Sequence, residues 1–253
     1  MCQVYNYLSK EEATTRASRC TMIAVAFALP AESSQFLRRL HGKSRVARDG
    51  LNIVRGKLDD HSVEVLHTGV GEKACRQRVN NFLHNQQFTL LISTGFAGAL
   101  NDELRVGDLL LAKNFSTIDL SEPRSALSAF PIHVADLITL PALIDCSRER
   151  SEIARTSGAA AVDMETEFIA RACTEHAIPL LSLRVITDTA HESFPAPPNV
   201  LFNIEQQRTS LLELTTFFLA RPNRVPRLIQ FARRIAHARN TLTSALVKIL
   251  HIL

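Results

Sequence analysis

Asp163, Glu165 and Asp188 are carboxylates set at the ends of two short apolar runs, and Arg184 interrupts the second run. Such groups accept hydrogen bonds and exchange protons with a bound molecule. The surrounding stretch reads as a strand over residues 159–162, an acidic turn over 163–165, a helix from Thr166 to about His176, and a strand over 178–186 that ends in Thr187-Asp188-Thr189. Both carboxylate groups thus fall at the C-terminal ends of what read as neighbouring strands, the edge at which open α/β sheets bind ligands. The second strand is nearly continuous in apolar residues, as expected when helices cover both faces. A lone guanidinium there would cost on the order of 3–5 kcal/mol, so Arg184 needs a partner, and Asp163 or Glu165 is expected to supply it. A plainer role for Asp188 is to cap the following segment by accepting backbone N–H bonds.

A third strand end carries another carboxylate. Residues 22–29 form an apolar run of strand length, Pro30 suits the first position of a helix, and Glu32 lies at the junction. Glu32 either serves a ligand or complements the helix dipole from the first turn. Two glycine turns accompany these sites. Thr68-Gly69-Val70-Gly71 leads from a strand into a helix over about 72–86, and Thr94-Gly95-Phe96-Ala97-Gly98-Ala99-Leu100 follows the buried strand 88–94. Glycine at such a turn allows close backbone approach to a ligand and leaves N–H groups free, although packing alone also selects it.

The remaining elements must hold these ends together. Residues 51–58 and 62–68 alternate in polarity around Asp59-Asp60 and read as a hairpin, and 106–112 reads as a strand. Residues 116–135 lack a period and read as a loop, 135–143 as a short apolar segment, and 147–157 as a polar helix. The loop from His191 to Pro198 is placed to cover the site, ahead of a helix over about 200–220 and a last one starting near Pro226. Residues 1–21 form an N-terminal extension, 22–220 the main domain, and 221–253 a basic amphipathic C-terminal helix. No acidic residue follows Glu213, whereas Arg221, Arg224, Arg227, Arg233, Arg234, Arg239 and Lys248 do. An apolar stripe runs through Leu228, Ile229, Phe231, Ile235, Leu242, Leu246 and Ile249. It suits packing against the domain or a second subunit, or lying on an anionic membrane surface.

Composition excludes several classes. The 253 residues, 46% of them hydrophobic, can bury a sizeable core, and α/β folds of this length are commonly one domain. Five dispersed cysteines without a paired or zinc-ligand spacing argue against a disulfide framework and a structural metal, and for free thiols in a reducing cytoplasm. The N-terminus lacks the apolar core of a secretory signal, and no run of ~18 apolar residues offers a membrane span. The glycine segments lack the Lys-Ser/Thr of a P-loop and the order of a dinucleotide fingerprint, so neither ATP nor NAD is expected as cofactor.

Taken in order, Ala28-Leu29-Pro30-Ala31-Glu32, then Thr94 to Leu100 with Val106-Gly107-Asp108, then Val162-Asp163-Met164-Glu165 with Arg184 to Asp188, the motifs resemble the nucleoside phosphorylase/nucleosidase superfamily over about residues 22–192. They are most similar to its methylthioadenosine/S-adenosylhomocysteine nucleosidases and hopanoid-associated phosphorylases. The resemblance implies a single α/β domain, a three-layer αβα arrangement around a twisted mixed sheet, and a homodimeric assembly without cofactor or metal. It implies that Asp188 contacts N7 and the exocyclic amine of a purine, that Met164 and Glu165 hold the ribose, and that Glu32 positions the attacking water. Gly69, Val70 and the Thr94–Gly98 segment (Thr94, Gly95, Phe96, Ala97, Gly98) would line the sugar and base pocket, with Leu143 or a neighbour stacked on the base. Asp163 and Arg184 would support the site, with Arg184 compensated by Glu165.

The chemistry expected from the resemblance is hydrolysis of the N-glycosidic bond of a purine nucleoside, a 5′-substituted adenosine, with Asp188 as acid and Glu32 as base. Phosphorylases of the superfamily commonly place an Arg and a Ser at the positions of Ser93 and Phe96, which favours water over phosphate here. Phe96 replaces a small polar residue, and the chain between Asp108 and Asp163 is short, which opens the 5′ side of the pocket. With the basic C-terminal helix, this leaves open a phosphorylase acting on a nucleoside or adenosyl-lipid at a membrane surface, and a non-catalytic nucleoside-binding relative. The expected partner is a small-molecule nucleoside, not nucleic acid, in the cytoplasm or peripheral to the membrane through residues 221–253.

Overall fold

A computed structural model describes residues 22–189, 194–201, 207 and 211–253. The N-terminal extension and part of the loop expected over the site therefore lie outside the described residues. In chain order the elements are β1 (Met22–Phe27), α1 (Pro30–Arg39), β2 (His41–Arg48), β3 (Leu51–Leu58), β4 (His61–His67), α2 (Glu72–Leu83), β5 (Leu90–Ala99) and β6 (Leu109–Ala112). There follow α3 (Ser121–Ala126), β7 (Ile132–Ala135), β8 (Leu137–Thr139), α4 (Ser147–Ser157), β9 (Ala161–Asp163), α5 (Thr166–Glu175) and β10 (Leu180–Asp188). The chain closes with α6 (Pro198–Leu201), α7 (Leu211–Ala220), a 3-10 turn at Pro222–Arg224 and α8 (Val225–Leu250).

The strands form one mixed sheet in the order β2-β3-β4-β1-β5-β10-β6-β7, with β9 added to β5 and β8 to β9. Its centre, β4-β1-β5-β10, is parallel. The hairpin β3-β4 and its neighbour β2 are antiparallel, as is the β10-β6 pair. Burial follows from the period-2 alternation of side chains on central strands that are apolar on both faces. Ile23, Val25, Ile92, Leu181 and Leu183 pack with Phe36 of α1 and Leu242, Leu246 and Ile249 of α8. Ala24, Ala26, Leu91 and Leu180 face Val79 and Phe82 of α2 and Ile169 and Cys173 of α5. The mixed sheet and two helical layers agree with the α/β expectation.

The C-terminal helix divides at about Ala238. Beyond it, Leu242, Ala245, Leu246, Ile249 and Leu250 are fully buried in the core, whereas Val225 and Ile229 in its first turns are exposed. The C-terminal part of the predicted apolar stripe is thus part of the sheet's own packing.

Several local expectations change. The segment 95–100 is not a turn, because β5 runs through it to Ala99, paired with β10 along one edge. The stretch 116–135 contains α3 and the strand β7, which pairs with β6. The helix expected to start at Pro30 ends at Arg39, and β2 follows it directly, with His41-Gly42-Lys43-Ser44 already in the strand. Only α6 and α7 are described within the helix expected over 200–220. The polar helix over 147–157 is found as α4, and Gly158 closes it with φ 71°, a left-handed conformation that glycine adopts without steric cost.

Candidate active site

The site is built around the end of β5. Along Leu90–Ser93 one edge of this strand is covered by β1, and beyond that point β9 takes over, pairing Val162 with Gly98 and Ala161 with Ala99. β10 follows the opposite edge as far as Asp188. The two carboxylate-bearing ends are therefore not neighbours, as the sequence suggested; they flank β5 from either side. Because the chain passes from β1 to β4 on one side and to β5 on the other, this point is also a topological switch, where crevices form at strand C-termini.

Glu32 reaches this edge from the first turn of α1. Its Oε2 accepts the N–H of Leu29 at 2.9 Å, the backbone half of a capping box, and its Oε1 accepts the N–H of Phe96 at 3.3 Å. The helix-start role and the site role thus coexist, the second bond tying α1 to β5. A Cβ on Gly95 would lie 3.2 Å from Glu32 Oε1, so glycine is what lets the carboxylate lie on the strand. Burial pushes the Glu32 carboxyl above the usual carboxylate range, opposed by those two N–H bonds.

Asp188 is set by an irregularity in β10. Ile186 stands opposite Ala97 but Asp188 stands opposite Gly98, so Thr187 is an extra residue and Asp188 is re-aimed away from Arg184. The backbone of Gly107 and Asp108 fixes the residue before the bulge, with Gly107 N–H donating to Ile186 O and Ile186 N–H to Asp108 O. Asp188 Oδ2 forms an ion pair with Arg150 Nη2, and Oδ1 accepts the Thr187 hydroxyl at 2.9 Å. Burial raises the Asp188 carboxyl, while the guanidinium of Arg150 and the Thr187 hydroxyl pull it back down. Arg150 was not among the residues that the sequence pointed to. A signal existed: it lies three and four positions before Ile153 and Ala154, which face the core, and so shares their side of α4.

Arg184 is buried and fully engaged, as expected. Its partner is Asp163, at 3.0 Å from Nε, with further bonds to Ser93 O and Oγ at 2.8 Å and to the Thr166 hydroxyl. The expectation that Glu165 compensates Arg184 is corrected: no hydrogen bond joins them, because Asp163 also caps α5 through Thr166 and accepts from Thr139, which leaves it the carboxylate nearest the guanidinium. Freed of that duty, Glu165 spends Oε1 on the N–H of Gly71 at 3.0 Å. Burial, helped by the charge of Asp163, pushes its carboxyl up to about 8. Glu165 and Met164 are both buried at the end of β9.

The strand segment itself brings Thr94, Gly95, Phe96, Ala97 and Gly98 together at the site, and the Thr94 hydroxyl is buried without a hydrogen-bond partner. The other glycine turn behaves differently from expectation. Its N–H groups are engaged rather than free: Thr68 bonds Phe27 O, Gly69 bonds Ala28 O, Val70 bonds the Gln207 side chain at 2.7 Å, and Gly71 bonds Glu165. The Gln207 amide also donates to Val70 O. Leu143 is 41% exposed, in the segment whose Ile144 carbonyl accepts from Arg150. Among the described residues no three His, Cys, Asp or Glu side chains converge as metal ligands. A cleft of about 250 Å³ lies elsewhere, between Glu103, Arg124, His133 and Ala160, and contains none of the site carboxylates.

The arrangement can place a small molecule along β5 between two protonatable carboxyls, with a third beside them. Glu32 lies against Gly95 and Asp188 against Gly98, three residues further along β5.

Several known proteins are similar to this chain. A curated relative, the 5′-methylthioadenosine/S-adenosylhomocysteine nucleosidase of Baumannia cicadellinicola subsp. Homalodisca coagulata, is 27% identical over 176 residues, 56% of this chain and 77% of the relative. Among solved structures, S-adenosylhomocysteine nucleosidase from Streptococcus pyogenes in complex with 5-methylthiotubericidin superposes with a TM-score of 0.71 at 18% identity, covering 94% of this chain and 99% of that one. Futalosine hydrolase of Helicobacter pylori gives 0.69 at 14% identity, over 94% and 100%. These likenesses show the fold. The family model described as the phosphorylase superfamily matches residues 22–134 and 122–220, most of the chain, and the protein therefore belongs to the phosphorylase superfamily.

Proposed function

We propose that the protein hydrolyses the N-glycosidic bond of a purine nucleoside, a 5′-substituted adenosine. Asp188, whose neutral form burial favours, donates a proton to N7 as the C1′–N9 bond breaks and its electrons pass to the purine. Water attacks C1′ and gives up a proton to Glu32, whose carboxylate is held by the N–H groups of Leu29 and Phe96. Glu165, with Oε1 held by Gly71, has its second oxygen for a ribose hydroxyl, beside Met164. The segment from Thr94 to Gly98 lines the sugar and base, together with Gly69 and Val70 and with Leu143 above them.

The observation that carries water over phosphate is the state of the Thr68–Gly71 turn. A phosphate needs cationic or N–H donors around it, and all four N–H groups of this turn already have partners, one of them Glu165. Similarity to proteins named as nucleosidases supports the same reading. The test is to incubate the protein with methylthioadenosine, adenosine and inosine, with and without phosphate, and follow the released base. Phosphate-independent release is expected. Phosphate-dependent release makes the protein a phosphorylase, and binding without release makes it a non-catalytic relative.

A second reading concerns location. Leu219 is 78% exposed and Ile229 48%, beside Arg221, Arg227 and Arg233, and this face supports work at an anionic membrane surface. No described helix is long and apolar enough to cross a membrane. Since the end of α8 is buried in the core, substitution of Leu219 and Ile229 by Ser tests the idea better than truncation: co-sedimentation with anionic vesicles should fall, and unchanged sedimentation removes it. The homodimer expected from the resemblance and the cytoplasmic setting expected from the dispersed cysteines belong to this proposal, and equilibrium sedimentation tests the first.

A further inference from the structure

Asp188 is bound to a buried arginine, and that arginine is itself tied down. Arg150 is 2% exposed. Its Nε donates to Ile144 O at 2.9 Å and its Nη1 to Ala99 O at 2.9 Å. Its Nη2 donates to Ile144 O at 2.5 Å and to Asp188 Oδ2. The guanidinium is thereby fixed against the last residue of β5 and the segment before α4. It leans on the same glycine as the acid, since a Cβ on Gly98 would lie 3.0 Å from Nη1 and 2.8 Å from Asp188 Oδ2.

We propose that Arg150 is a positioning residue for the reaction: it holds Asp188 by Oδ2, presents Oδ1 to the leaving base, and receives the negative charge left when the proton moves to the purine. The inference rests on the reading of Asp188 as acid. Burial alone makes a carboxyl hold its proton, which suits the resting state but opposes donation. A fixed cation beside the far oxygen is most favourable after the proton has left, so it acts where charge develops. The proton leaves Oδ1 for N7 while the C1′–N9 electron pair goes to the purine, and Asp188 becomes a carboxylate bonded to Arg150 and Thr187. Among the described residues, the charged group acting on Asp188 besides Arg150 from α4 is Asp145, an exposed residue in the segment before α4, which opposes Arg150. Arg150 has a fork for this task that lysine lacks, since a single ammonium cannot reach both carbonyls and the carboxylate in one geometry.

The test uses Arg150→Met and Arg150→Lys in the full chain, with base release followed across pH. In Arg150→Met, kcat/KM should fall about 10–100-fold, the scale of a misplaced reacting group. Its high-pH limb should rise by about 1–3 units, because loss of the opposite charge lets Asp188 keep its proton to higher pH. Arg150→Lys should restore the limb and keep kcat lowered about tenfold with little change in KM. A limb unmoved in Arg150→Met with a uniform loss of rate shows a purely structural arginine and overturns the proposal. If Arg150→Met does not fold, Arg150→Lys decides, and full activity there overturns it. These results differ from failure of the underlying reading, which would show as no base release by the unaltered protein or as full activity in Asp188→Asn.

Discussion

Gly98→Ala adds one methyl group at the point where the acid, its arginine and β5 meet. The new Cβ would stand 2.8 Å from Asp188 Oδ2, closer than real Cβ contacts come, and 3.0 Å from Arg150 Nη1, tighter than most. Gly98 is not among the positive-φ glycines, so alanine fits its backbone and the effect is confined to those two side chains. To regain ordinary contact at 3.4 Å, Oδ2 must retreat by about 0.6 Å. Arg150 is pinned to the Ile144 and Ala99 carbonyls and yields little, so the carboxyl moves. A displacement near 1 Å costs about 10²-fold in rate, so about 10–100-fold is expected in kcat/KM, or about 1.4–2.7 kcal/mol of transition-state stabilisation. Overpacking of this kind also destabilises by about 1–3 kcal/mol, which a thermal melt reads separately. The assay is adenine release from methylthioadenosine at several substrate concentrations. A folded Gly98→Ala protein that turns over at the unaltered rate would refute the placement of Asp188 at the reacting base.

Further outcomes follow from the same geometry. Asp188→Asn and Glu32→Gln should each lower kcat by about 10²–10⁴-fold, with base release as the measure; near-normal turnover in either would sink the acid–base assignment. Glu165 has a folded pKa of about 8, raised from 4.5 by burial. The folded state thus binds the extra proton, and the stability this contributes is full below about pH 4.5 and lost as pH rises toward 8. Denaturant midpoints at pH 5 and pH 8 should differ by less in Glu165→Gln than in the unaltered protein, and an equal difference would argue against this pKa. Glu64 is fully buried on β4 and pairs with Arg48 at 2.9 Å and Arg55 at 2.5 Å. Glu64→Ala should cost about 2–4 kcal/mol, because it leaves the partly buried Arg48 guanidinium without its carboxylate; an unchanged urea midpoint would contradict it.

Sequence pattern alone located most of the central elements, because the central strands are apolar on both faces and the helices between them carry a 3.6-residue period. β1, β4, α2, α4, α5 and β10 lie where those periods place them. It also singled out Glu32, Glu165 and Asp188, since a carboxylate at the end of a buried strand is costly unless it is used or paired. What it misread were places where composition serves a distant contact. Gly95 and Gly98 looked like a turn, yet they continue β5 and make room for Glu32 and Asp188. The apparent loop 116–135 hides β7, whose pairing with β6 does not announce itself in a local period.

Only the tertiary structure decided which charges meet. Asp163 and Glu165 were equivalent partners for Arg184 in the sequence, and the Asp163 side chain prevails because it can cap α5 and reach the guanidinium at once. Arg150 is one of three arginines on a polar helix, and nothing local separates it from Arg148 and Arg155 except the helix face it shares with Ile153. Its meeting with Asp188 depends on an extra residue in β10 and on β9 crossing to the far edge of β5. The sequence determined which groups had to be buried; the sheet's register determined with whom, because long-range strand pairing fixes where each side chain points.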